Sequence, residues 1–167
     1  VALPFPADIL DNDRPIPVAN YNFTQYNVKF SSDARKVLYG EASLTVGNFY
    51  GGTRSEYGVS LNARKQPWGT FGVTYIQNNI DLGGEYGKAE FRLIGPVAEI
   101  SLSNSMWLTT FVQYNTQADN FNVNSRFQWR FKPMSDLYLV YSDNYTTSDL
   151  HVKNRGLVLK VTYWLNM

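Results

Sequence analysis

From residue 21 onward, apolar and polar side chains alternate with a period of two almost without interruption, and no helical apolar spacing persists. Near the C-terminus, Leu157, Leu159, Val161, Tyr163 and Leu165 fall on one side of an extended strand, and Val158, Lys160, Thr162 and Trp164 on the other. Over 122–132, Val123, Phe127, Trp129 and Phe131 oppose Asn122, Asn124, Arg126, Gln128, Arg130 and Lys132. This patterning predicts nine strands, over 21–30, 37–49, 54–65, 69–80, 88–102, 107–116, 121–132, 136–145 and 154–167. Residues 1–20, with Pro4, Pro6, Pro15 and Pro17, form an arm or loop outside them.

The predicted strands are long, and long strands with one oily face suit an antiparallel transmembrane β-barrel. Connections at 31–35, 66–68, 103–105 and 133–135 are short. Those at 47–53, 81–87, 117–120 and 145–153 are expected to be longer, as external loops would be. Three cations on one side of 122–132 would each cost several kcal/mol in a dry core, but a wet lumen tolerates them. The expected lumen lining is Glu41, Glu56, Arg64, Glu90, Arg92, Arg126, Arg130 and Lys160. Apolar parity switches from odd (Phe91, Leu93) to even (Ala98, Ile100, Leu102) around Gly95-Pro96, so a bulge there is expected to restore the outward face. Trp68, Trp107, Trp129 and Tyr163 are expected in the interfacial aromatic girdle.

Composition narrows the classes. Aromatics reach 16%, net charge is +1 and cysteine is absent, which excludes disulfides, thiolate metal sites and a basic field for nucleic acid. Mean hydropathy of −0.31 does not separate a soluble sheet from a membrane barrel, which shows lipid only alternate residues.

Several stretches carry a family resemblance: Phe111-Val-Gln-Tyr-Asn115, Asn124-Ser-Arg-Phe-Gln-Trp129, Lys132-Pro-Met-Ser-Asp-Leu-Tyr-Leu-Val-Tyr141 and Arg155-Gly-Leu-Val-Leu-Lys-Val-Thr-Tyr163. The earlier Gly47-Asn-Phe-Tyr-Gly-Gly52 and Asn78-Asn-Ile-Asp-Leu82 add to it. In order and content they resemble the C-terminal barrel of an uncharacterised bacterial outer-membrane family. Its full-length members carry a carbohydrate-binding-family-9-like domain before the barrel. The resemblance implies an outer-membrane location and that these strands are the last part of a larger barrel; the rival expectation is a complete eight-strand barrel in which one of the nine strands does not span. The implied partners are outer-membrane lipid and lipopolysaccharide, together with the remaining N-terminal part of the barrel or another envelope subunit. Asn154, Gly156, Leu159 and Val161 resemble the terminal signal read by the barrel-assembly machinery, with Met167 where that signal usually ends in Phe.

Chemistry-bearing constellations are few. Asp143, Asp149 and His151 form one conceivable rim hydrolase cluster, with a solvated polar loop as the plainer account. Asp8, Asp11 and Asp13 could hold calcium, or form a solvated acidic turn. The expected function is therefore a non-enzymatic barrel acting as a pore or as an anchoring or assembly component, with no cofactor. A soluble lipocalin-like binding barrel is the alternative, and it requires the opposite orientation of every strand.

Overall fold

A computed structural model describes residues 4–8, 10 and 13–165. Within them the chain forms nine antiparallel strands in one sheet: β1 (Gln25–Ser31), β2 (Leu38–Phe49), β3 (Gly52–Lys65), β4 (Gly69–Gly83), β5 (Gly87–Ser103), β6 (Met106–Asn115), β7 (Asn120–Lys132), β8 (Ser135–Tyr145) and β9 (Val152–Thr162). Each strand pairs with its sequence neighbours in a simple meander, and the sheet is not closed: β1 and β9 are edges.

The two ends of the strands are joined by connections of similar size. One rim carries residues 50–51, 84–86, 116–119 and 146–151, and the opposite rim carries 32–37, 66–68, 104–105 and 133–134. The expected sorting into short turns and long loops is not found. Residues 47–53, expected as a loop, instead extend β2 and β3 up to Tyr50-Gly51. Gly52 permits this, since a Cβ there would lie 2.1 Å from the Asp81 carbonyl oxygen. At the opposite rim Gly69 has φ +145 and would place a Cβ 1.9 Å from the Glu99 oxygen, so only glycine fits the start of β4.

Directly paired residues point to the same side of a sheet, so the register carries each face from strand to strand. On β3, the polar side (Glu56, Ser60, Asn62, Arg64) is half-buried, whereas Tyr57, Val59 and Leu61 are 46%, 43% and 53% exposed. The sheet therefore curls toward its polar face, the reverse of a soluble half-buried sheet. We call that face concave.

The register runs straight through Gly95-Pro96: Ile94 pairs with Tyr75, Gly95 with Thr74, Pro96 with Val73 and Val97 with Gly72. The expected bulge is absent. Consequently Ala89, Phe91, Leu93 and Val97 lie on the concave face, and Glu90, Arg92 and Ile94 on the convex one.

The convex apolar zone is oblique to the rungs. The rung Tyr26–Val46–Ser55–Asn79–Glu90 is apolar only on β1 and β2. The rung Ala98–Thr110–Ser125–Tyr141–Leu157 is the first to be apolar on β9, because the pair above it is Asp143 and Arg155. Read along β5, the boundary moves from Glu90 to Ala98, eight residues, between β2 and β9. That is roughly 27 Å of strand rise over roughly 34 Å of strand spacing, a slant of about 40°. Tilted barrel strands cut by a flat slab produce such a slant.

The proline-rich arm docks on the concave face at the first rim. Ala7 and Ile16 form an antiparallel bridge, and Leu10 and Ile16 pack with Ile80 and Leu82. These four are the buried apolar residues of the described chain, with Tyr21, Phe49, Tyr50, Tyr86, Ala89 and Phe91 around them. Arg14 Nη1 donates to the Glu85 carbonyl at 2.6 Å, which ties the arm to the β4–β5 turn. Ile16 is only 1% exposed, and Ile16→Ala is expected to weaken this docking by about 2–4 kcal/mol. Faster protease cleavage within the arm, with the sheet still resistant, is the measurement that checks it.

Candidate functional site

The concave face is where polar chemistry collects. One rung near the opposite rim runs Arg64–Thr70–Glu99–Thr109–Arg126 across β3 to β7. A cavity of about 550 Å³ opens over it, lined also by Gln66, Ser101, Trp107 and Gln128. Arg64 stacks over the Tyr39 ring at 5.2 Å and donates to the Ala34 carbonyl at 3.3 Å. Gln128 donates to the Asp136 carboxylate and the Tyr138 hydroxyl, each at 3.1 Å. Arg130 pairs with Asp136 at 3.1 Å and lies 5.4 Å over the Trp107 ring. Toward the first rim, Arg54 donates to Glu56 at 2.5 Å and to Asn78 at 3.0 Å. On β1 and β2, Lys29 pairs with Glu41 at 2.7 Å. An amide ladder, Asn122 to Asn144 to Asn154, crosses β7, β8 and β9.

Six of the eight residues expected to line a lumen share this face: Glu41, Glu56, Arg64, Arg126, Arg130 and Lys160. Glu90 and Arg92 do not. They pair with Asn79 and Gln77 on the convex face, and with each other at 2.5 Å, because no bulge turns β5 over. Trp107 also faces the other way: it pairs with Ser101 and Gln128 on the concave face rather than standing in an outer girdle. Trp129 is convex and packs edge-on against Phe131, whose ring stacks on Tyr163 at 6.4 Å. Trp68 sits exposed in the 66–68 turn. Of the signal-like residues, Asn154 and Gly156 are concave and Leu159 and Val161 convex, all on β9. Met167 lies outside the described residues.

Patterning did not single out the convex polar border. Tyr57, Tyr75, Tyr114 and Tyr141 end the apolar zone toward the first rim. Beyond them stand Gln77, Asn79, Glu90, Arg92, Asp143 and Arg155. Asp143 is 1% exposed; its Oδ2 accepts from the Tyr141 and Tyr145 hydroxyls at 2.5 and 2.6 Å and from Arg155 Nε at 2.8 Å. Asp143 is therefore a structural anion, not a partner of His151, which engages its loop through backbone N–H bonds to Thr146 and Asp149. The calcium candidate Asp11 lies outside the described residues. Asp8 uses its carboxylate to accept from the Leu10 and Asp13 amides. Among the described residues no three His, Cys, Asp or Glu side chains gather as a metal site.

Two rim loops are locked together by Asp119, which accepts from both the hydroxyl and the amide of Thr147. The hydroxyl bond, the amide bond and nearby Lys153 hold its carboxyl below the ordinary range. A depressed folded pKa means the contact is fully present above the unfolded carboxylate value, about 3.9, and is lost as pH falls through the lower folded value. Exchange protection of the Thr147 amide is thus expected to persist at pH 5 and vanish in stronger acid, and Asp119→Asn should make it insensitive to pH.

The chain matches no protein-family model and no curated protein sequence.

Proposed function

We propose that this chain is part of a bacterial outer-membrane β-barrel whose concave face lines a hydrated lumen and whose convex face meets lipid. The observation that carries the proposal is the inverted exposure of the two faces along β3, β4 and β5, joined to the oblique convex band. On β7 that band runs from Phe121 to Phe131. Ten residues at a slant of about 40° give roughly 25 Å along the membrane normal, the height of a barrel's apolar belt. Tyrosines at one border and Trp129, Phe131 and Tyr163 at the other suit the two interfaces. A lipocalin-like reading places apolar residues inside and charges in water, which does not fit β3.

Closure follows from parity. β1 and β9 run in the same direction, so an all-antiparallel cylinder containing both needs an odd number of further strands. The proposal assigns these to the remaining part of the same barrel or to another envelope subunit. Unpaired strand edges in lipid would leave N–H and C=O groups without partners. Lipopolysaccharide and the barrel-assembly machinery are the other partners it implies. The role is transport or anchoring, without catalysis.

Adjacent residues on β3 test the orientation. Leu61→Arg is expected to cost about 2–4 kcal/mol in bilayers, while Asn62→Arg costs much less. Equal costs, or recovery of the protein in a detergent-free supernatant, would refute the membrane orientation. If the closed assembly conducts, Arg126→Glu should shift its ion selectivity toward cations in planar bilayers. Silence from a fully folded assembly would favour anchoring.

A further inference from the structure

Two features of the concave face lie side by side. Glu99 and Arg126 stand on either side of Thr109 in one rung, and neither has an ion pair, hydrogen bond or ring contact among the described residues. Their neighbours on the same face are otherwise engaged: Arg54 with Glu56, Lys29 with Glu41 and Arg130 with Asp136. Next to this charge pair, one pleat into the face, the side chains become apolar. Val97 lies over Gly72, whose Cβ position is 3.1 Å from Val97 Cγ1. Phe111 lies over Gly95, whose Cβ position is 3.5 Å from Phe111 Cε2. Leu93 and Ile76, paired with each other, continue the stripe toward Phe91, where the arm's apolar cluster begins.

Apolar side chains left facing water invite cover. The arm covers only the far end of the stripe, leaving Phe111 37% exposed. An anion resting on Arg126 would also face the Glu99 carboxylate, two strand spacings or roughly 10 Å away. A ligand carrying both signs meets both groups. The Thr70 and Thr109 hydroxyls beside Glu99 can donate to its oxygens. The cavity of about 550 Å³ gives the headgroup room and opens at the rim of the 66–68 turn.

We propose that the concave face binds a single-chain zwitterionic amphiphile, its ammonium on Glu99, its phosphate on Arg126 and its chain along Val97, Phe111 and Leu93. The site depends on the concave face alone, so it stands or falls separately from membrane location.

Native mass spectrometry of the full chain in micelles, titrated with lysophosphatidylethanolamine, tests it. Lysophosphatidylglycerol, which lacks the ammonium, phosphoethanolamine, which lacks the chain, and a simple fatty acid are the comparison probes. Lysophosphatidylethanolamine is expected to bind at least tenfold more tightly than each of the three. Arg126→Gln should lose that tenfold, and Glu99→Gln should abolish the preference over lysophosphatidylglycerol. Phe111→Asn should weaken lysophosphatidylethanolamine but not phosphoethanolamine. Leu61→Asn, on the convex face, reports amphiphile adsorbed there and should leave these differences unchanged. Unchanged affinity in Arg126→Gln and Glu99→Gln, with far-UV dichroism intact, would overturn the proposal. So would equal binding of the two lysolipids by the unmodified chain. A variant that loses dichroism is replaced by Arg126→Lys or Glu99→Asp, for which a retained preference supports the assignment and its absence counts against it.

Discussion

One antiparallel register running without a slip through the middle of β5 organises everything else in this molecule. Because rung partners share a side, the pairing of Gly95 with Thr74 and Pro96 with Val73 transmits the facing of β3 directly to β6 and β7. A single bulge there would have exchanged the faces of Phe91 and Glu90. Without it, Phe91 and Ala89 are available to pack beneath the arm, and Glu90 and Arg92 pair in the open on the convex side. The register shifts that do occur fall at strand ends, between Asp81 and Gly83, Ser101 and Ser103, Arg130 and Lys132, and Asn144 and Tyr145. There they reshape the rims without moving a face.

Two surfaces with different demands result. The convex one is oily in a slanted stripe and polar above it, so a single strand such as β5 is charged at Glu90 and Arg92 and apolar from Ile94 onward. The concave one is polar along β3, β7 and β9 but apolar in a seam along β4, β5 and β6. The arm meets this seam at Ile80 and Leu82, making the only cluster of buried apolar side chains among the described residues. Burial of Leu10 and Ile16 holds it there, alongside the Ala7–Ile16 backbone bridge.

The strands and the facing of β3 and β7 were legible because their alternation is nearly unbroken, and β9 because Leu157, Leu159 and Val161 oppose Lys160 and Thr162. So was the common facing of six of the eight residues expected to line a lumen. The facing of Glu90 and Arg92 is not legible in the sequence, because a change of apolar parity within one strand has two causes that look alike in one dimension. It marks either a bulge or a strand whose two halves face different surroundings. The facing of Trp107 is not legible for a related reason: its strand, β6, carries Thr109 and Thr110 side by side, and its alternation is too weak to orient a ring. At 47–53 the glycines read in one dimension as a loop, whereas Gly47 and Gly52 let neighbouring backbones approach closely and the turn is confined to Tyr50-Gly51.

The sequence by itself determined that the chain makes an antiparallel sheet, where its strands lie, and that oily and polar side chains separate onto opposite faces. These are consequences of a two-residue period, which is local. Only the tertiary structure decided which face is concave, that β5 crosses a border midway, and that Glu99 and Arg126 stand two strands apart beside an apolar seam. Those depend on how register accumulates across nine strands, and register is set by pairs of residues distant in the chain.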